Sequence, residues 1–290
     1  MFFIEIPIIP AFTDKTVQEL LTTSFHLGKK ARHEYRMSKQ IFLDGQATTF
    51  EQTPELGQIL RLPLLNEKAT SAYSGQINIL YEDDFIAVVN KPTHLKTHPN
   101  TLSDKDTAAN RLQHYFEQTA QISASAYHVH RLDQVTSGLV LFAKNRLALA
   151  AFSYQLEKRM IKRHYLALVE GQVSASQTIE KPIGKDRHIK GKQHISSGGQ
   201  YAKTYISPVE YQQKKKQTLL TCELETGRTH QIRVHLASIG HPIVGDTLYG
   251  SKRQQQRVML HAANITFYHP FFDKTFNLEA PLPHDFLVET

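Results

Sequence analysis

The chain opens on an apolar stretch. Ile4, Ile6, Ile8 and Ile9, with Glu5 and Pro7 among them, predict an opening strand. Residues 16–21 then read as the start of a helix, with Asp14 available to cap it. Residues 29–39 predict a second helix, strongly basic. Residues 41–47 form a strand run broken by Asp44-Gly45, a strong hairpin signal, and residues 59–62 predict a further strand. Residues 66–75 are polar, lack an apolar period and read as a linker. Beyond them, short β-type runs outnumber helices. Residues 86–90, 139–143, 165–169 and 218–222 predict buried strands. Residues 147–160 predict an amphipathic helix, and 232–239 a shorter one. Strands do not alternate strictly with helices, so an α+β fold with a mixed, largely antiparallel sheet is expected. The expected organisation is a small N-terminal α/β module over 1–65, a linker over 66–75 and a main domain over 76–290.

Composition narrows the classes. With 290 residues, 40% of them hydrophobic, the chain can bury a sizeable core without staples. The single cysteine, Cys222, excludes an intramolecular disulfide and a cysteine-rich zinc cage, and suits a reducing cytosol. A cytoplasmic location is therefore expected. The apolar opening is interrupted by Glu5 and Pro7 and lacks a basic lead, so no signal peptide is expected. No apolar run reaches the roughly 18 residues of a membrane span. The net charge of +7 favours a polyanionic partner, although many soluble proteins are mildly basic without one. Of the 16 histidines, His128 and His130 stand two apart and His230 and His235 five apart. Neither spacing matches a zinc-binding helix, and no metal site is expected.

Two strings carry candidate chemistry. Residues 130–138 read His-Arg-Leu-Asp-Gln-Val-Thr-Ser-Gly and precede an apolar strand. An extended backbone there would project Arg131 and Asp133 to one side and Leu132 to the other. By itself this is a salt bridge beside a turn, a common and weak feature. Residues 224–250 contain a glycine turn opening a basic helix. Arg228, His230 and Arg233 cluster at its start, where free N–H groups favour anions. A basic surface helix is the plain alternative.

The first string resembles the catalytic motif of RluA-type pseudouridine synthases: His-Arg-Leu-Asp, two variable residues, Thr-Ser-Gly. All defined positions match. The second resembles that family's Thr-Gly-Arg-Thr-His-Gln-Ile-Arg motif and its Gly-His-Pro-Ile-x-Gly-Asp segment. Asn90-Lys91-Pro92 and His98-Pro99 resemble its opening motif, with His94 where that motif usually has Gly. Residues 163–171 resemble the segment carrying its pocket tyrosine. The first sixty residues loosely resemble an RNA-binding module named after a small-subunit ribosomal protein, with Lys30 and Arg32 as cations for phosphates.

The resemblance implies a pseudouridine synthase fold with a catalytic cleft. It implies isomerisation of specific uridines in structured RNA, with ribosomal RNA expected and transfer RNA left open. Asp133 would be the catalytic carboxylate, Arg233 its partner and Tyr165 the pocket tyrosine. Arg131 would displace the target base, and Arg228, His230 and Lys91 would bind RNA, with the basic loop 185–192 on phosphates. The reaction adds no atom and changes no oxidation state, so no cofactor is expected. A monomer is expected. Two other readings stay open: an RNA-binding or ribosome-assembly protein without catalysis, in which Asp133 is dispensable, and a glycosidase pairing Asp133 with Asp246.

Overall fold

The computed structural model describes residues 2–65, 70–119, 121, 124–253 and 255–286. The N-terminal part runs β1 (Phe3–Pro7), α1 (Val17–Glu19), α2 (Lys29–Ser38), β2 (Phe42–Leu43), β3 (Gln46–Ala47) and β4 (Ile59–Pro63). Its four strands lie in the order β1-β4-β2-β3. Asp44 and Gly45 both take positive φ, 47° and 80°, and turn β2 into β3 as the sequence predicts. The cap of α1 is Thr16, not Asp14. Thr16 Oγ1 accepts from Glu19 N at 3.2 Å, and the Glu19 carboxylate accepts from Thr16 N at 2.8 Å. This reciprocal box satisfies two free donors, which Asp14 cannot do from outside the turn.

The larger part begins with β5 (Asn78–Glu82), β6 (Ile86–Lys91), α3 (Ala108–Gln118), β7 (Tyr127–His128) and β8 (Ser137–Ala143). It continues with α4 (Arg146–Glu157), β9 (Lys162–Glu170), β10 (Gln177–Glu180), β11 (Ile183–Lys185), β12 (Gln193–Ile195), β13 (Lys203–Gln212) and β14 (Gln217–Leu224). Helix α5 (Gln231–Ser238) and strands β15 (Leu260–His269) and β16 (Lys274–Glu279) close it. The central sheet runs β10-β13-β14-β9-β15-β8-β6-β5, with β16 on β15 and β7 on β8. Among the described strands of this sheet only the β15–β8 pairing is parallel, so the expected mixed, largely antiparallel sheet is the one observed.

Gly138 makes that parallel pairing possible. It sits at φ +110°, and a Cβ there would collide with the Ala262 carbonyl of β15. The glycine ending the first motif is therefore required where β8 passes β15.

Alternation along the strands separates two cores. Ile86, Val88, Leu139 and Leu141 face one side; Ala87, Val89, Val140 and Phe142 face the other. Helix α4 and the whole N-terminal part share the first side. Phe25 stacks on Phe271 at 4.5 Å, the His26 ring lies on Tyr154 at 3.4 Å, and Glu34 pairs with Arg146 at 3.2 Å. Helix α5 and Tyr165 belong to the second side. Of the expected linker, residues 66–69 lie outside the described residues. Its remainder is irregular but tied to α3: Asn110 Nδ2 donates to Ser71 O at 2.5 Å, and Tyr73 N to Asn110 O at 3.0 Å.

Candidate active site

Asp133 sits on a loop held from both ends. Thr97 Oγ1 accepts from Leu132 N at 3.0 Å and donates to Leu132 O at 2.9 Å. Thr93 Oγ1 donates to Val135 O at 3.0 Å, and Thr136 N to Asp133 O at 3.1 Å. Leu132 is buried, which turns Asp133 and Arg131 outward as the extended spacing predicts. The segment from Lys91 to Thr97 thus fixes the Asp133 loop. His94 within it takes φ +62°, the left-handed conformation that glycine adopts most readily.

Helix α5 brings Arg233 to Asp133. Arg233 Nη1 donates to Asp133 Oδ2 at 3.3 Å. Its Nε and Nη2 donate to the two oxygens of Asp246 at 2.7 and 2.9 Å, a bidentate pair. Burial works against the charge of Arg233, but Asp246 and then Asp133 outweigh it and hold its pKa above the ordinary arginine value. Asp246 is held in turn by Gly245, at φ +81°, where a Cβ would strike the Arg257 carbonyl. The helix start is wired by Gln231, whose Oε1 accepts from Thr226 Oγ1 at 2.7 Å and Arg228 N at 3.0 Å.

Asp133 Oδ2 carries a second neighbour, His230 Nε2, at 3.8 Å. Burial holds the His230 pKa below its usual value, with Asp133 opposing. Asp133 Oδ1 has no hydrogen-bond partner among the described residues. One oxygen is anchored by the guanidinium, and the other is unengaged.

The pocket in front of Asp133 is lined by Arg131, Arg163, Tyr165, Arg228, His230 and Arg233 among others. Its volume is about 80 Å³, and a second cavity of about 300 Å³ also borders Arg131, Asp133, His230 and Arg233. Tyr165 is 5% exposed, and burial raises its pKa. Arg131 is exposed at the rim; Arg228 Nε is tied to Tyr201 O at 3.0 Å.

The sequence reading missed two residues here. Arg163 lines the pocket with its Nε buried and unpartnered. Tyr249 packs its ring under Arg233, 5.0 Å from the guanidinium carbon, and meets His230 through its hydroxyl at 2.8 Å. Tyr165 carries the resemblance two positions after Arg163, and Tyr249 closes the second motif string, but neither motif signals a role for these two side chains.

Other expected site residues are not brought here. Lys91 is fully buried, and its ammonium donates to Pro92 O at 2.9 Å and Leu95 O at 2.7 Å, with Gln134 O at 3.5 Å. It faces carbonyls, not solvent, so the expectation that it touches RNA is corrected to a structural role beneath the Asp133 loop. Lys30 is exposed on α2, while Arg32 is partly buried with Nη1 on Thr22 Oγ1 at 2.5 Å. Both belong to the part packed on the sheet face opposite the pocket. Asp246 is 1% exposed with both oxygens on Arg233, so it is not a free second acid for the glycosidase reading.

Comparison with known proteins places these features in a family. Residues 85–238 match the model of the RNA pseudouridylate synthase family, and residues 4–60 that of the RluD ribosomal pseudouridine synthase N-terminal domain. The uncharacterized RNA pseudouridine synthase YhcT of Bacillus subtilis is 38% identical over 270 residues, 92% of this chain and 89% of its own length. Ribosomal large subunit pseudouridine synthase D of Nitrosomonas europaea is 35% identical over 260 residues, 85% of this chain and 75% of its own. The solved structure of human RNA pseudouridylate synthase domain containing 1 superposes with a TM-score of 0.60 at 26% identity, over 76% of this chain and 87% of its own.

Proposed function

Since this chain belongs to the RNA pseudouridylate synthase family, we propose that it isomerises uridines of large-subunit ribosomal RNA, with Asp133 as the catalytic carboxylate. The reaction class follows from the family: uridine in RNA becomes pseudouridine, an isomerisation. The RNA is inferred from relatives named as ribosomal large-subunit synthases and from the match of residues 4–60 to the N-terminal domain of one of them.

The reaction breaks the bond from ribose C1′ to uracil N1 and joins C1′ to C5. The hydrogen on C5 leaves as a proton and N1 gains one, so atoms and electrons balance. Asp133 meets the reacting nucleoside with its unbonded oxygen, at the sugar or at the ring. Arg233 holds the other oxygen and cannot lose its own proton under working conditions. Tyr165 stacks against the extruded base, and Arg131 at the rim takes the space the base vacates. Arg163 and Arg228 receive backbone phosphate or uracil oxygens. The lone Cys222 is buried, and no helix among the described residues is long and apolar enough to cross a membrane; we place the enzyme in the cytoplasm.

The observation that carries this reading is the Arg233–Asp133 contact at the mouth of a pocket walled by Tyr165. Tritium release tests it, because isomerisation frees label at uracil C5 to water, whereas glycosidic hydrolysis leaves it on the released base. Release from large-subunit ribosomal RNA, and none from transfer RNA, is expected. Release from transfer RNA alone would overturn the substrate assignment.

A further inference from the structure

Tyr249 stands between a basic hairpin and the catalytic carboxylate. Strands β11 and β12 pair antiparallel, and the loop joining them carries exposed Arg187 and Lys190, with Lys185 at its base and Lys192 beside it. Asp186 closes the turn by accepting from His188 N and Ile189 N at 2.8 and 3.0 Å. Where the hairpin returns, Gln193 N donates to Tyr249 Oη at 2.9 Å, and Lys192 Nζ lies 5.8 Å from the Tyr249 ring centre. On its other side Tyr249 Oη meets His230 Nδ1 at 2.8 Å.

Counting the protein's own donors and acceptors favours one direction for that last bond. Tyr249 Oη already accepts from a backbone N–H, which can only donate. If His230 Nδ1 also donated, the phenol hydrogen would have no acceptor among the described residues. The arrangement that satisfies every group from within the protein has Oη–H donating to Nδ1. The ring proton of His230 is then on Nε2, the atom facing Asp133 Oδ2 at 3.8 Å. That distance is too long for a hydrogen bond in the free protein, and contacts of this kind tighten when substrate closes the site.

We propose that Tyr249 is a positioning residue that holds His230 as the Nε2–H tautomer facing Asp133 and anchors the phosphate-binding β11–β12 hairpin to the same point. Two donors, Arg233 and His230, then address one oxygen of Asp133, and the reacting oxygen is the other. The inference rests on reading Asp133 as the catalytic carboxylate. Through Gln193 and Tyr249, a backbone phosphate held on the hairpin steadies the imidazole beside the chemistry.

Tyr249→Phe tests this, since it keeps the ring under Arg233 and removes only the hydroxyl. Long-range proton–nitrogen spectra of histidine-labelled protein, with His230 assigned by comparison with His230→Gln, should show Nε2–H in the wild type and lose that preference in the variant. The Gln193 amide should exchange faster in the variant. Turnover should fall about tenfold, with a smaller change in KM. The double variant with His230→Gln should be no slower than the worse single one, because both break one chain of bonds. A wild-type His230 carrying its proton on Nδ1 would overturn the assignment. So would a Tyr249→Phe enzyme as fast as wild type while Asp133→Asn is inactive. An active Asp133→Asn would instead bring down the catalytic reading beneath it, whatever the His230 spectrum shows.

Discussion

Arg233 reaches Asp133 with one nitrogen, at 3.3 Å, while its other two donors close on Asp246 at 2.7 and 2.9 Å. Asp246 thus fixes the plane of the guanidinium, and the guanidinium fixes one oxygen of Asp133. A single basic point could not span both acids.

Arg233→Lys should therefore be far from conservative. Lysine has no rigid fork, so it can satisfy Asp246 or Asp133 but not both. Single-turnover rates are expected to fall by about a hundredfold or more, with RNA affinity in filter binding little altered. Asp246→Asn should act mainly on the fold, since it leaves a buried guanidinium half-paired. Denaturant titration is expected to show a loss of about 3–5 kcal/mol. Unchanged stability would mean that Arg233 finds its charge balance elsewhere.

Lys91 is expected to separate stability from RNA affinity. Lys91→Met removes the donor to the carbonyls of Pro92 and Leu95 beneath the Asp133 loop. Burial has pushed its pKa down to about 7, so the amine is poorly placed to serve as a cation for phosphates. The variant should be destabilised by about 1–3 kcal/mol, while the folded fraction binds RNA as wild type does. A drop in affinity at full stability would restore Lys91 to the RNA surface.

Acid should weaken the fold in the range where buried histidines resist protonation. Burial lowers His130 to about 3 and His128 and His261 to about 4, against the ordinary value near 6.5. The unfolded chain takes up these protons first, so the folded state is favoured above pH ~6.5 and loses stability as pH falls towards about 4. His130 Nε2 accepts from Leu141 N at 3.2 Å, a bond that a glutamine oxygen can replace. His130→Gln should lose less stability between pH 7 and 4.5 than wild type, as read from denaturation midpoints. Equal losses would show that His130 titrates freely in the fold.

The N-terminal part should unfold together with the body. Phe12, Phe25, Phe271 and Phe85 form one run of ring contacts across the two, with centroid spacings of 5.5, 4.5 and 3.9 Å. Phe25→Ala is expected to cost about 3–5 kcal/mol in a single cooperative transition. A body transition that stays in place would mean the two parts are only tethered.

The strands and helices were largely legible because burial of one face writes its period into the sequence. The runs 86–89 and 139–143, in strands buried on both faces, are legible instead as unbroken apolar stretches, and α4 shows the period apart from its end, where Arg159 at φ +60° stops the helix before the expected residue 160. Asp133, Arg233 and Tyr165 were legible through motif resemblance and are brought together as that resemblance implies. Lys91 was misjudged because a lysine in a motif looks like a cation for phosphate, and only the fold shows three carbonyls around it. Arg163 and Tyr249 were missed because their positions depend on which strand and which turn pass beside the pocket. The side of the sheet that receives the N-terminal part was equally hidden. It is decided by contacts such as Phe25 on Phe271, between residues far apart in the chain.

The most direct measurement is pseudouridine mapping by chemical modification and primer extension on ribosomal RNA from cells lacking this gene, treated with wild type or Asp133→Asn. The expected result is that wild type restores a stop at one or a few large-subunit uridines and the variant, which still binds the RNA, restores none. An Asp133→Asn protein that modifies the same uridines as efficiently as wild type would contradict the account.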